Sequence, residues 1–381
     1  MYDVVVIGQG LSGMLAAIWA RGEGKRTAMI MSGAGKIMQS TGVLDLIPGS
    51  RGTLDEWMKQ YPFHSENKAD VLQAVAKFKA LTRELGYPYN GDVREPVPVV
   101  TGSGHIKETA LYPDTVTPVP DRGHAVVVGF QELPDFQPLF ISKNLQKERP
   151  LMTVDAIRIP LGEDSQRVLT QLDAARLLDQ KEVRARCLRR ISGQLADKGI
   201  SQADFFVFPS SLGNEAWAQT LKQFSEGLGA RVTEAPGMPP NATAIRLNDR
   251  LKLKAIRSGV RLYADTTVTG ADIEKNHIRS VRVRMANRAT DVAGRQFVLA
   301  TGGILGGGLE VTPDGIRETA LHLNTDGDGR PMNPPDNLFL AGASGGRQLT
   351  RHGIVGGVYS LVSSYASVFG LRKTVAGGMA K

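Results

Sequence analysis

Gly8, Gly10 and Gly13 stand in GxGxxG spacing near the start of the 381-residue chain, and they can do chemistry without side chains. In that pattern the first glycine makes a tight turn, the second lets a phosphate approach the backbone, and the third lets a helix pack closely on a strand. The free amides of the helix, with Ser12 in its first turn, then face an anion. Two further stretches end a strand in small residues, Ala300-Thr301-Gly302-Gly303 and Ala341-Gly342-Ala343, as expected where backbone passes close to a ligand. Gly353-Ile354-Val355-Gly356-Gly357 then starts the last helix, whose first amides suit a carbonyl group of the same ligand. Arg347, Arg351 and His352 lie between the third corner and that helix. An unperturbed imidazole has its pKa near neutrality, so His352 is suited to accept a proton. Arg347 and Arg351 are suited to clamp a phosphate or carboxylate. The alternative is that His352 caps the helix and the arginines bind acids of a neighbouring subunit.

Elements of the right kind surround the glycines. With 43 glycines in the chain a bare GxGxxG match means little, so its setting decides. Residues 4–7 are an uncharged β-branched run, 11–22 have an apolar helical period and 27–31 form a second strand. That order of strand, turn, helix and strand supports a nucleotide or flavin phosphate site. A dinucleotide site usually places Asp or Glu about 20 residues past the glycines to bind the ribose. Here the corner reads Met31-Ser32-Gly33-Ala34-Gly35 without an acid. The adenosine half is therefore held differently or absent, which keeps FMN in play beside FAD.

Residues 39–50 form a loop rich in small polar residues that includes Ser40, Thr41 and Gly42. Helices are expected over 54–60 and 69–85, the second stopped by Gly86 and Pro88. Proline is frequent from 88 to 138, which reads as irregular sheet and loops. Further helices are expected over 167–179, 181–196, 214–228 and 244–258, with a strand at 205–208. Arg184, Arg186, Arg189 and Arg190 read as a solvated helix face or a dock for an acidic partner. Strands follow over 260–263, 266–273, 277–285 and 290–299, and residues 353–371 read as a buried helix. The expected fold is α/β: a discontinuous Rossmann-like flavin-binding domain of residues 1–91 and 230–381, with an inserted α+β cap domain of residues 92–229.

Composition narrows the classes. Hydrophobic residues make up 41% and charged residues 22%, as in a soluble globular chain. The net charge of +8 attracts anions. No recognition motif points to nucleic acid, so a phosphorylated small-molecule substrate, a partner subunit or an anionic membrane surface fits better. Cys187 is the sole cysteine, so the chain forms no internal disulfide and cannot by itself hold a cysteine-ligated iron–sulfur cluster. A reducing, cytoplasmic setting follows. The first apolar run is the phosphate-loop strand and not a signal peptide. The histidines lack ligand spacing, so no metal site is expected, and GxSxG and P-loop signatures are missing.

The N-terminal GxGxxG, the ATGG of residues 300–303, the turn Thr325-Asp326-Gly327-Asp328-Gly329-Arg330 and the NLF-x-x-G of residues 337–342 occur in that order before a glycine-started helix. In this the chain resembles two-domain flavoproteins related to the fumarate reductase and succinate dehydrogenase flavoprotein subunits. Within that group it is most similar to the B-subunit family of anaerobic glycerol-3-phosphate dehydrogenases. The nearer marks are Ser40-Thr41-Gly42-Val43-Leu44-Asp45-Leu46, Val128-Gly129-Phe130 leading into Asp135-Phe136, and the acid-free corner at Ser32. The resemblance implies oxidation of sn-glycerol 3-phosphate to dihydroxyacetone phosphate by a flavin, described for this family as FMN. It also implies a homologous catalytic subunit and an iron–sulfur, membrane-associated subunit that passes electrons to quinone, with the chain peripheral on the inner face of the cell membrane. Ser32, and Ala343 where Glu or Asp commonly follows NLF-x-x-G, depart from the wider pattern and remove contacts expected for FAD. Two other readings stay open, a non-catalytic assembly or electron-relay subunit and a fumarate-reductase-like enzyme acting on a dicarboxylate.

Overall fold

The computed structural model describes residues 1–47, 52–60, 68–162, 167–286, 288–345 and 356–370. β1 (Tyr2–Ile7), α1 (Leu11–Gly22) and β2 (Thr27–Ile30) form the first crossover, with β1 and β2 parallel. Helix α1 has the bounds its pattern gives, and Ser12 through Ala20 are all buried. α2 (Leu54–Gln60) and α3 (Lys68–Glu84) follow. The buried residues of α3, Val71, Ala74, Val75, Phe78, Leu81 and Thr82, fall on one helical face. β3 (Tyr89–Asn90), β4 (Val97–Val100), β5 (Ile106–Thr109) and β6 (Tyr112–Pro113) make two small antiparallel pairs, β3 with β6 and β4 with β5.

The middle of the chain alternates strand and helix. β7 (Gly123–Phe130), α4 (Pro138–Glu148), β8 (Met152–Ile159), α5 (Gln171–Leu178), α6 (Lys181–Asp197), β9 (Phe205–Pro209), α7 (Trp217–Leu228) and β10 (Arg231–Ala235) build a four-stranded sheet in the order β10-β9-β7-β8. Every pairing in it is parallel, so this region is wound α/β and not the expected α+β. The physical reason lies in the strands: Ala125–Phe130 and all of β9 are buried, as a sheet covered by helices on both faces requires. Arg184 also departs from the solvated face expected of it. It is buried on α6, where its guanidinium donates to the carbonyls of Leu178 and Asp179 at 2.9 and 2.8 Å and to Gln223 at 2.8 Å. The free carbonyls at the end of α5 draw it in.

The chain then returns to the first sheet through α8 (Ala242–Arg257), β11 (Arg261–Tyr263), β12 (Thr267–Glu274), β13 (His277–Met285) and β14 (Arg288–Leu299). β15 (Leu309–Thr312) and β16 (Gly315–Glu318) form a hairpin before β17 (Leu338–Leu340) and α9 (Gly357–Tyr365). β14 serves two partners. Its first half pairs antiparallel with β13, while its second half lies parallel between β1 and β17. The parallel part of the sheet thus runs β11-β2-β1-β14-β17. Its register puts Tyr263, Ile30, Ile7, Leu299 and Leu340 in one row at the carboxyl edge. One core packs α1, α3, α8 and α9 on a face of this sheet, a second packs the meander β12-β13-β14 on the other, and a third surrounds the middle sheet. Among the described residues no helix is long and apolar enough to cross a membrane.

Candidate cofactor site

Ligands of open parallel sheets sit outside the carboxyl ends of the strands. Past the row ending in Ile7, Leu299 and Leu340, three segments remote in sequence are stitched together by main-chain bonds. Gly8 N–H donates to Ile30 O at 2.9 Å, Ala300 N–H to Ile7 O at 2.8 Å and Ala341 N–H to Leu299 O at 2.9 Å.

The three glycines of the first corner have three different surroundings. Gly8 has φ +110°, and a Cβ there would overlap the carbonyl oxygen of Ala300. A Cβ on Gly13 would overlap the carbonyl of Gly8 itself. Around Gly10 nothing among the described residues lies within 4 Å of the Cβ position. Two glycines therefore serve packing and one faces clear space where a phosphate can reach the backbone. Gly10 caps α1 without a side-chain bond, and the first turn carries no acid, so the helix brings no carboxylate of its own to its first amides.

The other corners close on the first. Gly342, at φ +66°, lies so near the Ser12 hydroxyl that a side chain would not fit, and its N–H donates to Ser363 Oγ at 2.8 Å. Ser364 Oγ donates to Ser12 O at 3.0 Å, tying α9 to α1. A Cβ on Gly303 would meet the Ala343 methyl at 3.1 Å, and Gly302 has φ +85°. Thr301 Oγ1 is buried and has no hydrogen-bond partner among the described residues. Side-chain-free backbone at the N-terminus of α1 is the donor set a flavin phosphate can use.

Ser40, Thr41 and Gly42, expected from sequence at the site, lie in a loop with its own set of bonds. Ser40 Oγ donates to Ile37 O at 2.7 Å and accepts from Gly42 N–H at 3.2 Å. Gly42 O accepts from the buried Tyr89 hydroxyl at 2.5 Å, and burial holds that phenol well above its ordinary range, so it stays a donor. Further on, Asp45 O accepts from Val358 N–H at 3.2 Å, which seats the start of α9 on this loop. Ser32 is exposed past the end of β2. Arg347, Arg351, His352, Gly353, Ile354 and Val355 lie outside the described residues. Among the described residues no group of three His, Cys, Asp or Glu side chains could hold a metal.

Sequence reasoning missed Tyr89, Asn241 and Arg246. Asn241 Nδ2 donates to Ser40 O at 2.9 Å, and Arg246 makes a wholly buried pair with Glu234 at 2.7 Å beneath that contact. The only signal was a lone arginine in an otherwise apolar stretch of α8.

A glycine-turned carboxyl edge of this kind, closed by a second ATGG corner and the start of the last helix, defines a flavin-binding protein of the dinucleotide type. The chain belongs to the FAD binding domain family, whose model matches residues 3–358. Its cofactor is a flavin, and it falls among flavin-dependent oxidoreductases. The B subunit of the probable anaerobic glycerol-3-phosphate dehydrogenase of Halobacterium salinarum is 26% identical over 339 residues, 83% of this chain and 77% of that one. The B subunit of the anaerobic glycerol-3-phosphate dehydrogenase of Aliivibrio fischeri is 26% identical over 358 residues, 85% of this chain and 78% of that one. Among solved structures, 3-ketosteroid delta1-dehydrogenase from Sterolibacterium denitrificans gives a TM-score of 0.35 at 13% identity. The match covers 80% of this chain and 48% of that one, so the chain spans about half the length of that dehydrogenase.

Proposed function

We propose that this chain is the flavoprotein B subunit of an anaerobic glycerol-3-phosphate dehydrogenase, oxidising sn-glycerol 3-phosphate to dihydroxyacetone phosphate. What carries the reading is the meeting of three remote glycine corners at one helix N-terminus, in a chain alike over 83% of its length to a relative of that name. When bound, the flavin supplies the hydride acceptor. The chain supplies position and charge: Arg347 and Arg351 hold the substrate phosphate, and His352 takes the hydroxyl proton. Residues 1–91 and 230–381 hold the flavin, and residues 92–229 cap the substrate side. With one cysteine the chain cannot ligate a cluster, so electrons leave through iron–sulfur partner subunits to quinone, with the complex peripheral on the inner face of the cell membrane.

The test is anaerobic mixing of the purified flavin-loaded protein with glycerol 3-phosphate or with succinate. Bleaching of the flavin band by glycerol 3-phosphate alone supports the reading, and bleaching by succinate alone replaces it with a dicarboxylate enzyme. Arg351→Ala is expected to slow bleaching while the flavin stays bound. The exposed Ser32, where an acid would grip ribose, favours a second reading, a non-catalytic assembly or relay subunit. Isolation of the chain without flavin absorbance would support it. The mass of flavin released by heating decides between FAD, the family's cofactor, and FMN, which the acid-free corner favours.

A further inference from the structure

The Ser40–Gly42 loop is tied to the middle of the molecule through one side-chain amide. Asn241 stands where the chain leaving β10 enters α8, and it is fully buried. Its Oδ1 accepts from Ala244 N–H at 3.1 Å and so caps α8. Its Nδ2 donates to Ser40 O, 201 residues away in sequence, at 2.9 Å. The two ends of one amide thus serve different partners.

Both partners are fixed. Gly42 rests on the first turn of α8 so closely that a Cβ there would come within 2.7 Å of Ala244 N. That turn is in turn held by the middle sheet. Ala242 N–H donates to Ser210 O and Thr243 N–H to Ser210 Oγ, each at 3.0 Å, and Thr243 Oγ1 donates to Glu234 Oε2 at 3.2 Å. Below it, Arg246 bonds Glu234 through both nitrogens and also reaches the Tyr87 hydroxyl, Thr115 Oγ1 and Gly213 O. Tyr87 packs edge-on against Tyr89, the residue that holds Gly42 O from the other side. Polar bonds, the main chain of residues 241–244 and the Tyr87–Tyr89 ring contact therefore link the ends of β9 and β10 to the Ser40–Gly42 loop.

We propose that Asn241 is a positioning residue for the flavin: by holding the Ser40 carbonyl it sets the height of the Ser40–Gly42 loop, and through it the middle sheet governs cofactor affinity. The inference rests on the reading of Ser40–Gly42 as part of the flavin site, and it is independent of the substrate. An asparagine is suited to the task because it offers a donor and an acceptor together. Serine caps a helix about as well but is too short to reach Ser40.

The test titrates apo-protein with FMN and with FAD, followed by flavin fluorescence, for wild type, Asn241→Ser, Tyr89→Phe and Leu145→Ala. Leu145 is a buried residue of α4 in the middle core and serves as a control for destabilisation alone. Asn241→Ser and Tyr89→Phe are each expected to raise the flavin Kd roughly five- to tenfold, the value of one lost hydrogen bond. They are also expected to change the near-UV circular dichroism of the bound flavin. Leu145→Ala is expected to lower the melting temperature and leave Kd unchanged. Kd within twofold of wild type in Asn241→Ser, or an equal rise in Leu145→Ala, overturns the proposal. A wild-type chain that takes up no flavin overturns the cofactor reading together with it. Flavin uptake without reduction by glycerol 3-phosphate removes only the substrate.

Discussion

Among the described residues two sheets carry runs of parallel strands, and the carboxyl edges of those runs have opposite fates. On the first sheet the chain leaves β1, β14 and β17 through glycines, and the edge is bare backbone. On the second, in the order β10-β9-β7-β8, the chain reverses direction between β7 and β9, the place where such sheets commonly bind ligands. There Gln171 fills the gap, donating to Asp135 Oδ2 at 3.1 Å and accepting from Ser210 N–H at 3.0 Å. Glu132 accepts from Leu161 and Gly162 N–H groups, and Glu234 from Leu212 N–H. Like topology gives a site where the loops lack side chains and a joint where buried side chains satisfy the loop amides. The second edge holds α8, and through α8 the Ser40–Gly42 loop.

The sharpest way to break this comparison is to open the joint. Arg246→Met leaves the Glu234 carboxylate buried without its cation, and is expected to cost about 3–5 kcal/mol in urea unfolding. Retention of wild-type stability would mean that the second edge is not the structural one. Next in size is Gly8→Ala. The left-handed backbone alone costs about 1–3 kcal/mol, the overlap with Ala300 adds to it, and both the melting temperature and flavin uptake should fall.

Gly10→Ala separates binding from packing at the first edge. The space around Gly10 is clear, so stability should change by less than about 1 kcal/mol, a capping effect. Flavin affinity should fall roughly tenfold as the methyl keeps the phosphate off the backbone. Equal affinity in a titration would place the phosphate elsewhere. In the middle core, burial pushes the Cys187 thiol up to about 12. The native protein should therefore resist iodoacetamide at pH 8 and react only once unfolded, as mass analysis of the intact chain would read.

The smallest effect is at the amino edge of the first sheet. The Arg26 guanidinium and N–H hold the Asp3 carboxyl down to about 2, below its ordinary value near 4. Its contribution is present above about pH 4 and lost as pH falls toward 2. Asp3→Asn should flatten the acid limb of a melting-temperature profile over that window by a small amount, because the pair is exposed.

Much of the first sheet was legible because its signals are local. The run Val4–Ile7, the three glycines and the apolar period of α1 each specify their own backbone, and α1 begins and ends where they place it. The second sheet was harder to read. β8 mixes buried, half-buried and exposed residues without a steady alternation, and β10 is five residues long, so neither carries a strong period. The parallel pairings that define the sheet join residues up to 80 positions apart, as Ala125 with Phe205. Arg184 reads from sequence as part of a solvated face, and Arg246 draws no reading at all. Their burial was decided by the carbonyls of Leu178, Asp179 and Gly213 and the carboxylate of Glu234, which other elements bring to them.

By itself the sequence determined where backbone must be bare, because a glycine's freedom belongs to the residue and is written in its name. Only the tertiary structure decided which bare corners face one another and which buried side chains hold them there. Those contacts, such as Asn241 to Ser40, are set by register across distant segments and leave no local trace in composition or period.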